Sequence, residues 1–482
     1  MRRHGSWLAL DVVGPGHRAA RARADALGGD STVVPSRPAD DSRRISVLLG
    51  LLFGLAGMGS SSAAVALPLL GPDLGVSVGA ATWTISLYAL MLAVTTATYG
   101  RLADLMGIKL PLVIGISLMS AGAVVAALAP TFEVLLVARL FQGAGAAAVP
   151  TLGVAVVSAR YESEVRGLAL GRLAGMAAAV SCLGPLIGGV VEAGLGWRAV
   201  MALPVLGLAV VPFLWRALTD EGTGAALDIF GAVLVAVTAG GVVLLVQSPS
   251  TGVLVAIVGA GLLALGVPAI TFWVRRRPDG FLPIDVIRNQ TVVRSAFAAS
   301  AVPAAWFASL IAVPAVLVAE GWEPFQVGLL LLPAALLSLS LPRFAGWLIA
   351  RIGPARAIGV SAATASAAMV IGAAGAHAAD TPTGPVLLAL SLLVVCAAFG
   401  AGQPALGASV GEVVEGHVRG VALGVATLVF MTGGSVGSAV VGGLGGVVGI
   451  DGSLLVLAVL PLLALLALVP EMHRPTEATS TA

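Results

Sequence analysis

From Ile45 to Pro470 the chain alternates apolar stretches of about twenty residues with short polar breaks, and each stretch as a helix reaches across roughly 30 Å of hydrocarbon. A backbone in lipid must satisfy its own hydrogen bonds, which leaves helices or closed barrels. Barrel strands need only about ten residues, so runs of this length select helices. The spans fall at 45–70, 80–99, 110–129, 134–157, 167–191, 199–215, 229–247, 253–274, 291–319, 326–349, 357–377, 385–408, 420–449 and 452–470, fourteen in all. Composition agrees: 58% of residues are hydrophobic, 10% are charged, and the mean hydropathy is +1.02. A soluble domain carries about 25% charge, and a net charge of +2 gives no basic excess for nucleic acid. The reading is an all-α polytopic membrane protein.

The few charges orient it. Loops after alternate spans carry Arg101 and Lys109; Arg160 and Arg166; Arg216; Arg275, Arg276, Arg277 and Arg288; Arg351 and Arg356; and Arg419. The opposite loops carry essentially Arg198 alone. Positive charge marks the cytoplasmic face, so both termini are expected there, in a plasma membrane. Residues 1–44 read as a disordered cytoplasmic tail and 471–482 as a second one. The bias of 25 Arg to one Lys, with abundant Ala, Gly and Val, points to a GC-rich, bacterial genome.

The chain echoes itself. Val165-Arg166-Gly167-Leu168-Ala169-Leu170-Gly171 returns as Val418-Arg419-Gly420-Val421-Ala422-Leu423-Gly424, identical at six of seven positions. Gly100–Gly107 is echoed more faintly by Gly346–Gly353, which keeps the Gly-x-Leu frame and the last glycine. The simplest organisation is a six-helix bundle over 45–216, two additional helices with a linker over 217–290, and a second six-helix bundle over 291–470. Parallel repeats suit a transporter that rocks around a central site.

Several motifs carry chemistry. In Gly100-Arg101-Leu102-Ala103-Asp104-Leu105-Met106-Gly107-Ile108-Lys109, glycines permit a reversal and Asp104 stands between Arg101 and Lys109, the makings of a charge latch. Arg139 lies inside an apolar stretch, with Gln142 on the same helix face and Gly143 beside it; an intramembrane charge marks a functional site. Gly184-Pro185-Leu186-Ile187-Gly188-Gly189 combines a helix-breaking proline with small residues, so that Gly184 and Gly188 are expected to let a helix of the other half approach. Trp83, Tyr88, Phe141 and Trp306 are candidate cavity aromatics, with Phe307 and Phe430 behind them.

The loop at 100–109, the Arg-x-x-Gln-Gly of 139–143 and the Gly-Pro segment of 184–189 resemble signatures of the major facilitator superfamily. With Trp83-x-x-x-x-Tyr88-x-Leu90, Ala66-Leu67-Pro68 and Gly196-Trp197-Arg198, residues 45–470 resemble its fourteen-helix drug:proton antiporter branch. That resemblance implies two six-helix bundles plus two central helices, and export of a small amphipathic or hydrophobic compound by alternating access. Proton coupling, a small-molecule substrate and the bilayer are the implied partners, with no cofactor, no metal and no nucleic acid. One departure bears on coupling. The branch usually shows an Asp and an Asn in helix 1, where this chain has Gly59 and Ala64, and the acid often found between Trp and Tyr of helix 2 is Ser86. The acids nearest the spans, Asp73, Glu133, Glu192 and Glu320, stand at outer ends. An uncoupled facilitator, a metabolite or lipid exporter, and a non-transporting sensor are the alternatives.

Cys182 and Cys396 sit in distant apolar spans without a CxxC pattern and read as buried free thiols. Gly-x-Ser-x-Gly occurs at 75–79, 407–411 and 433–437, lacking the strand-to-helix turn and the His and acid partners of a hydrolase. His4, His17, His377, His417 and His473 lie in tails or loops without metal-ligand spacing. The chain is not expected to be an enzyme.

Overall fold

Apolar sequence becomes helix almost throughout. The computed structural model describes residues 39–161, 163–215, 218, 228–278, 280–338, 340–414 and 419–472, so the expectations for 1–38 and 473–482 lie outside the described residues. Short turns of helix aside, the elements are α1 (Ala39–Asp73), α2 (Trp83–Met106), α3 (Lys109–Ala127), α4 (Phe132–Ala146), α5 (Ala148–Arg160), α6 (Ser163–Cys182) and α7 (Gly184–Ala202). They continue with α8 (Ile229–Thr251), α9 (Val253–Arg276), α10 (Gln290–Ala319), α11 (Pro324–Leu330), α12 (Leu332–Ser338) and α13 (Leu341–Ile352). The last three are α14 (Pro354–His377), α15 (Thr383–Val413) and α16 (Arg419–Met472).

Eleven described helical stretches are long and apolar enough to cross a membrane. A twelfth is the pair Pro324–Ser338 and Arg343–Ile352, bent by 54°, where the sequence reading has one straight span over 326–349. Two of the eleven, Leu168–Leu214 and Ala422–Met472, each exceed twice the length a bilayer needs, and each is interrupted by a glycine with positive φ. Gly196 has φ 77° and ψ 172°; Gly449 has φ 78° and ψ 166°. Gly196 stands as far beyond Gly167 as Gly449 stands beyond Gly420, so the sequence echo continues as an identical backbone reversal. Between 199 and 215 the expected α-helix is largely a tighter 3-10 turn, Leu203–Val210, because Pro204 and Pro212 withhold donors.

The described part of α1 runs from Ala39. At the other end α16 runs through Glu471, which is buried at 5% exposure and held by Arg294 at 3.2 Å and the Thr291 hydroxyl at 2.9 Å.

Small residues set the packing. Gly50, Gly54 and Gly57 of α1 sit against Leu173, Val180 and Ser181 of α6, and Gly145 of α4 sits against Met119 of α3. Such contacts let helices approach closely where lipid offers no hydrophobic drive between them. α10 packs against α16 and α15 and is buried along most of its length, whereas α8 and α9 pack chiefly on each other, with α8 also touching α2 and α16. N-caps fix several starts: Thr131 before α4, Asp228 before α8 and Asn289 before α10.

Candidate functional site

Arg139 lies two turns into α4, about 10 Å from its start, and its side chain turns inward rather than reaching back to the helix end. It is fully buried, as are Gln142 and Tyr88. Its Nε donates to the Thr84 carbonyl at 2.8 Å and its Nη1 to Gln142 Oε1 at 2.7 Å. The guanidinium lies over the Tyr88 ring, 4.4 Å from the centroid, and the Tyr88 hydroxyl donates to the Ala56 carbonyl at 2.5 Å. One side chain thus ties α4 to α2 and, through the tyrosine, to α1. Gly143 has a definite part in this: a Cβ there would strike the backbone of Tyr88, so only glycine lets α2 bring the ring beneath the arginine.

The donors outnumber the acceptors. Arg139 Nη2 and Gln142 Nε2 are buried and make no hydrogen bond. Reversing the Gln142 amide does not help, since arginine only donates and Gln142 must offer it an oxygen. No carboxylate pairs with Arg139 among the described residues. A Cβ on Gly59 of α1 would lie 3.3 Å from the Tyr88 hydroxyl and 3.2 Å from Pro204 Cγ. The helix-1 position at which the resembled pattern has Asp therefore borders this same site. A buried ion without a countercharge carries an effective penalty of several kcal/mol.

In the loop 100–109, Gly107 makes the reversal with φ 80°, and Gly353 repeats it with φ 84° in the fainter echo. Gly100 does not take part: it lies within α2, with only Thr151 at 3.8 Å from a built Cβ. The Asp104 side chain lies outside the described residues. Arg101 donates to the Gly280 carbonyl at 3.1 Å, in the linker after α9, and the Lys109 ammonium lies 4.3 Å from the centre of the Trp215 ring.

The Gly-Pro segment divides its contacts in a way the sequence reading does not foresee. The helix breaks at Leu183, beside Pro185. Gly184 and Gly188 meet Ser61 and Ser62 of α1, within the N-terminal helices and not across to the other half. Gly189 makes the cross-contact, against Pro324 and Phe325 of α11, and Gly328 answers it against Pro185 and Leu186. Helical spacing puts Gly184 and Gly188 on one face, but it does not say which neighbour that face meets.

The aromatic candidates are not brought together. Tyr88 belongs to the arginine site, and Trp83 packs with Leu90, Val94, Val243 and Ala439. Trp306 stacks toward Phe399 at 5.6 Å, and Phe399 toward Phe430 at 5.8 Å, a row within the C-terminal helices. Phe141 is 54% exposed on the outer face of α4, pointing away from Arg139, so it lines no interior cavity here.

Three clusters escape the sequence reading. Cys182 and Cys396 are free and buried as expected, yet their sulfurs lie 3.7 Å apart, joining α6 to α15. Ser86, at the position of the missing helix-2 acid, meets Ser438 of α16 at 2.9 Å. Asp228 gathers donors from three places: the N–H groups of Gly231 and Phe281, each at 2.9 Å, and the Trp273 indole at 3.0 Å, with the Arg277 charge nearby. Burial pushes its carboxyl up, but the Phe281, Gly231 and Trp273 hydrogen bonds and the Arg277 charge outweigh that and hold it below the usual carboxylate range. An acid just ahead of an apolar run is the one signal that could have marked Asp228.

The comparisons decide the family. The Major Facilitator Superfamily model matches residues 49–280 and 295–482. The chain belongs to the major facilitator superfamily. The multidrug resistance protein Stp of Mycobacterium tuberculosis (strain CDC 1551 / Oshkosh) is 28% identical over 297 residues, 60% of this chain and 55% of that protein. The chain therefore aligns to little more than half of that relative. The efflux pump dotC of Dothistroma septosporum is 31% identical over 182 residues, 37% of this chain and 31% of the pump. An uncharacterized transporter of Escherichia coli K12, YebQ, is 25% identical over 64% of this chain and 70% of its own length. Among solved structures, a POT family transporter in complex with 5-aminolevulinic acid superposes with a TM-score of 0.66, covering 90% of this chain and 97% of that one at 15% identity. At that identity the likeness concerns the fold. The family and these relatives are transporters rather than enzymes.

Proposed function

We propose that this superfamily member is a plasma-membrane exporter that moves a small amphipathic or hydrophobic compound by alternating access. The observation that carries the reading is the buried Arg139–Gln142–Tyr88 centre, which places a charged side chain tied to three helices inside a mainly apolar bundle. The multidrug and efflux names of its relatives support the substrate class. The positive-φ breaks at Gly196 and Gly449 support fourteen spans, by dividing two overlong helices where the hydropathy pattern does. The end carrying Arg101 and Lys109 is assigned to the cytoplasm from its positive charge, and the two repeats to two six-helix bundles that rock about α8 and α9.

In this reading the 100–109 loop gates the cytoplasmic end. Arg101 is engaged with Gly280 in the linker, and Asp104 provides the acid of the latch. Gly189 against Pro324, and Ser86 against Ser438, are the seams that slide. Coupling is not assigned to a protein carboxylate. With Gly59 in helix 1 and no acid paired to Arg139 among the described residues, the residues favour an uncoupled carrier over a proton antiporter.

The test is flux in proteoliposomes of purified protein, using amphipathic dyes of positive, negative and zero charge. Protein-dependent flux of at least one dye is expected, and its absence for all three overturns the transport reading. Asp104→Asn is expected to slow that flux severalfold at equal protein content; unchanged flux removes the latch.

A further inference from the structure

We infer that Arg139 binds the acidic group of an organic anion, so that the transported compound itself supplies a countercharge that no described residue provides. The inference rests on the transport reading above and adds to it the charge of the substrate and the force that moves it.

Two donors, Arg139 Nη2 and Gln142 Nε2, are fully buried on adjacent turns of α4 and have no acceptor. The other hydrogen bonds of the pair hold the two side chains together: Nε is fixed by the Thr84 carbonyl and Nη1 by Gln142 Oε1. The unpaired donors therefore sit on side chains fixed to each other. Donors of this kind suit the oxygens of a carboxylate, sulfonate or phosphate, and the guanidinium charge favours an anion. A cation would add like charge to an uncompensated one, and a neutral amide would leave the net charge standing.

The position of Gly59 makes the argument specific to this chain. Its missing side chain would border the Tyr88 hydroxyl, on the ring that carries the guanidinium. An acid there would supply a resident countercharge. Glycine supplies none, and even a Cβ there would press against the Tyr88 hydroxyl and Pro204.

A driving force follows from the charge. The potential of a respiring cell is negative inside, so an organic anion released through a uniporter runs outward without proton exchange. No protein carboxylate has to titrate in that cycle, which fits a core in which Gly59 and Ser86 stand at the places of the usual acids.

The experiment pairs binding with flux on the full chain. Purified protein is melted with benzenesulfonate, benzoate, benzamide or benzyltrimethylammonium, at matched ionic strength. Stabilisation by the two anions, and little or none by the neutral and cationic probes, is expected. Equal or greater stabilisation by the cation or the amide overturns the inference, as does indifference to both anions. Gly59→Asp is expected to reduce the anion response at least tenfold in apparent affinity, whereas Gly59→Asn keeps most of it. If neither variant folds, the wild-type panel still decides.

In proteoliposomes of neutral lipid, a hundredfold potassium gradient with valinomycin should drive an anionic dye to an equilibrium ratio of about one hundred, and a pH gradient alone should not. Flux of only the cationic dye overturns the inference while leaving the transport reading intact. Flux of no dye overturns the transport reading, and the melting panel then judges the anion site by itself.

Discussion

Arg139, fully buried, and Asp228, half-buried, are opposite ways of holding a charge in this fold. Asp228 is a carboxylate met by three donors, two backbone N–H groups and an indole, with the Arg277 charge nearby. Arg139 is a guanidinium with two protein acceptors, the Thr84 carbonyl and Gln142 Oε1, and surplus donors left over. The first caps α8 and fastens it to the end of α9 and to the linker, the task of a staple. The second leaves polar capacity unspent in the core, which is how a site prepared for a partner differs from one prepared for stability.

The contrast can be broken by exchanging the readouts. Arg139→Lys keeps the charge but cannot hold Thr84 and Gln142 with the planar fork, so flux per folded molecule should fall by more than about tenfold. A variant that transports normally would show that the fork is structural. Asp228→Ala should do the reverse, losing about 2–3 kcal/mol of stability in thermal or denaturant melts while the flux per folded molecule stays near that of the unaltered protein. The acid limb sharpens the point. The folded Asp228 carboxyl titrates below its unfolded value of 3.8, so the unfolded chain holds more protons between the two values. The contribution of the staple is complete well above that value and fades as pH falls through 3.8. The stability gap between the wild type and Asp228→Ala should narrow over the same interval. Smallest in reach is Gly143→Ala, which pushes a methyl group against the Tyr88 backbone; a loss of about 1–3 kcal/mol in thermal or denaturant melts is expected from overpacking.

Much of this was legible in the chain because lipid imposes a strict grammar. Apolar length set the helices, and the Arg-x-x-Gln-Gly of 139–143 placed arginine and glutamine on one face before any coordinates. The rest depended on which face meets which neighbour. Helical spacing aligned Gly184 with Gly188, yet their partner is α1 and not the opposite half, while Gly189 makes the crossing. Cys182 and Cys396 stand far apart in sequence and side by side in space, because the meeting of α6 and α15 is a property of the whole bundle. Gly59 reads in sequence as a loss. In three dimensions it is a boundary of the arginine site, and that changes what the loss means.

The contact between Lys109 and Trp215 has a practical consequence. Lys109 is the only lysine in the chain, so an acylating reagent finds a single side-chain amine, placed over an indole at the end of the bundle that bears the gate loop. A fluorophore attached there would carry its own local quencher. The unmodified sequence thus already contains an optical gauge for movement at that end, needing neither an engineered cysteine nor the removal of the two native ones.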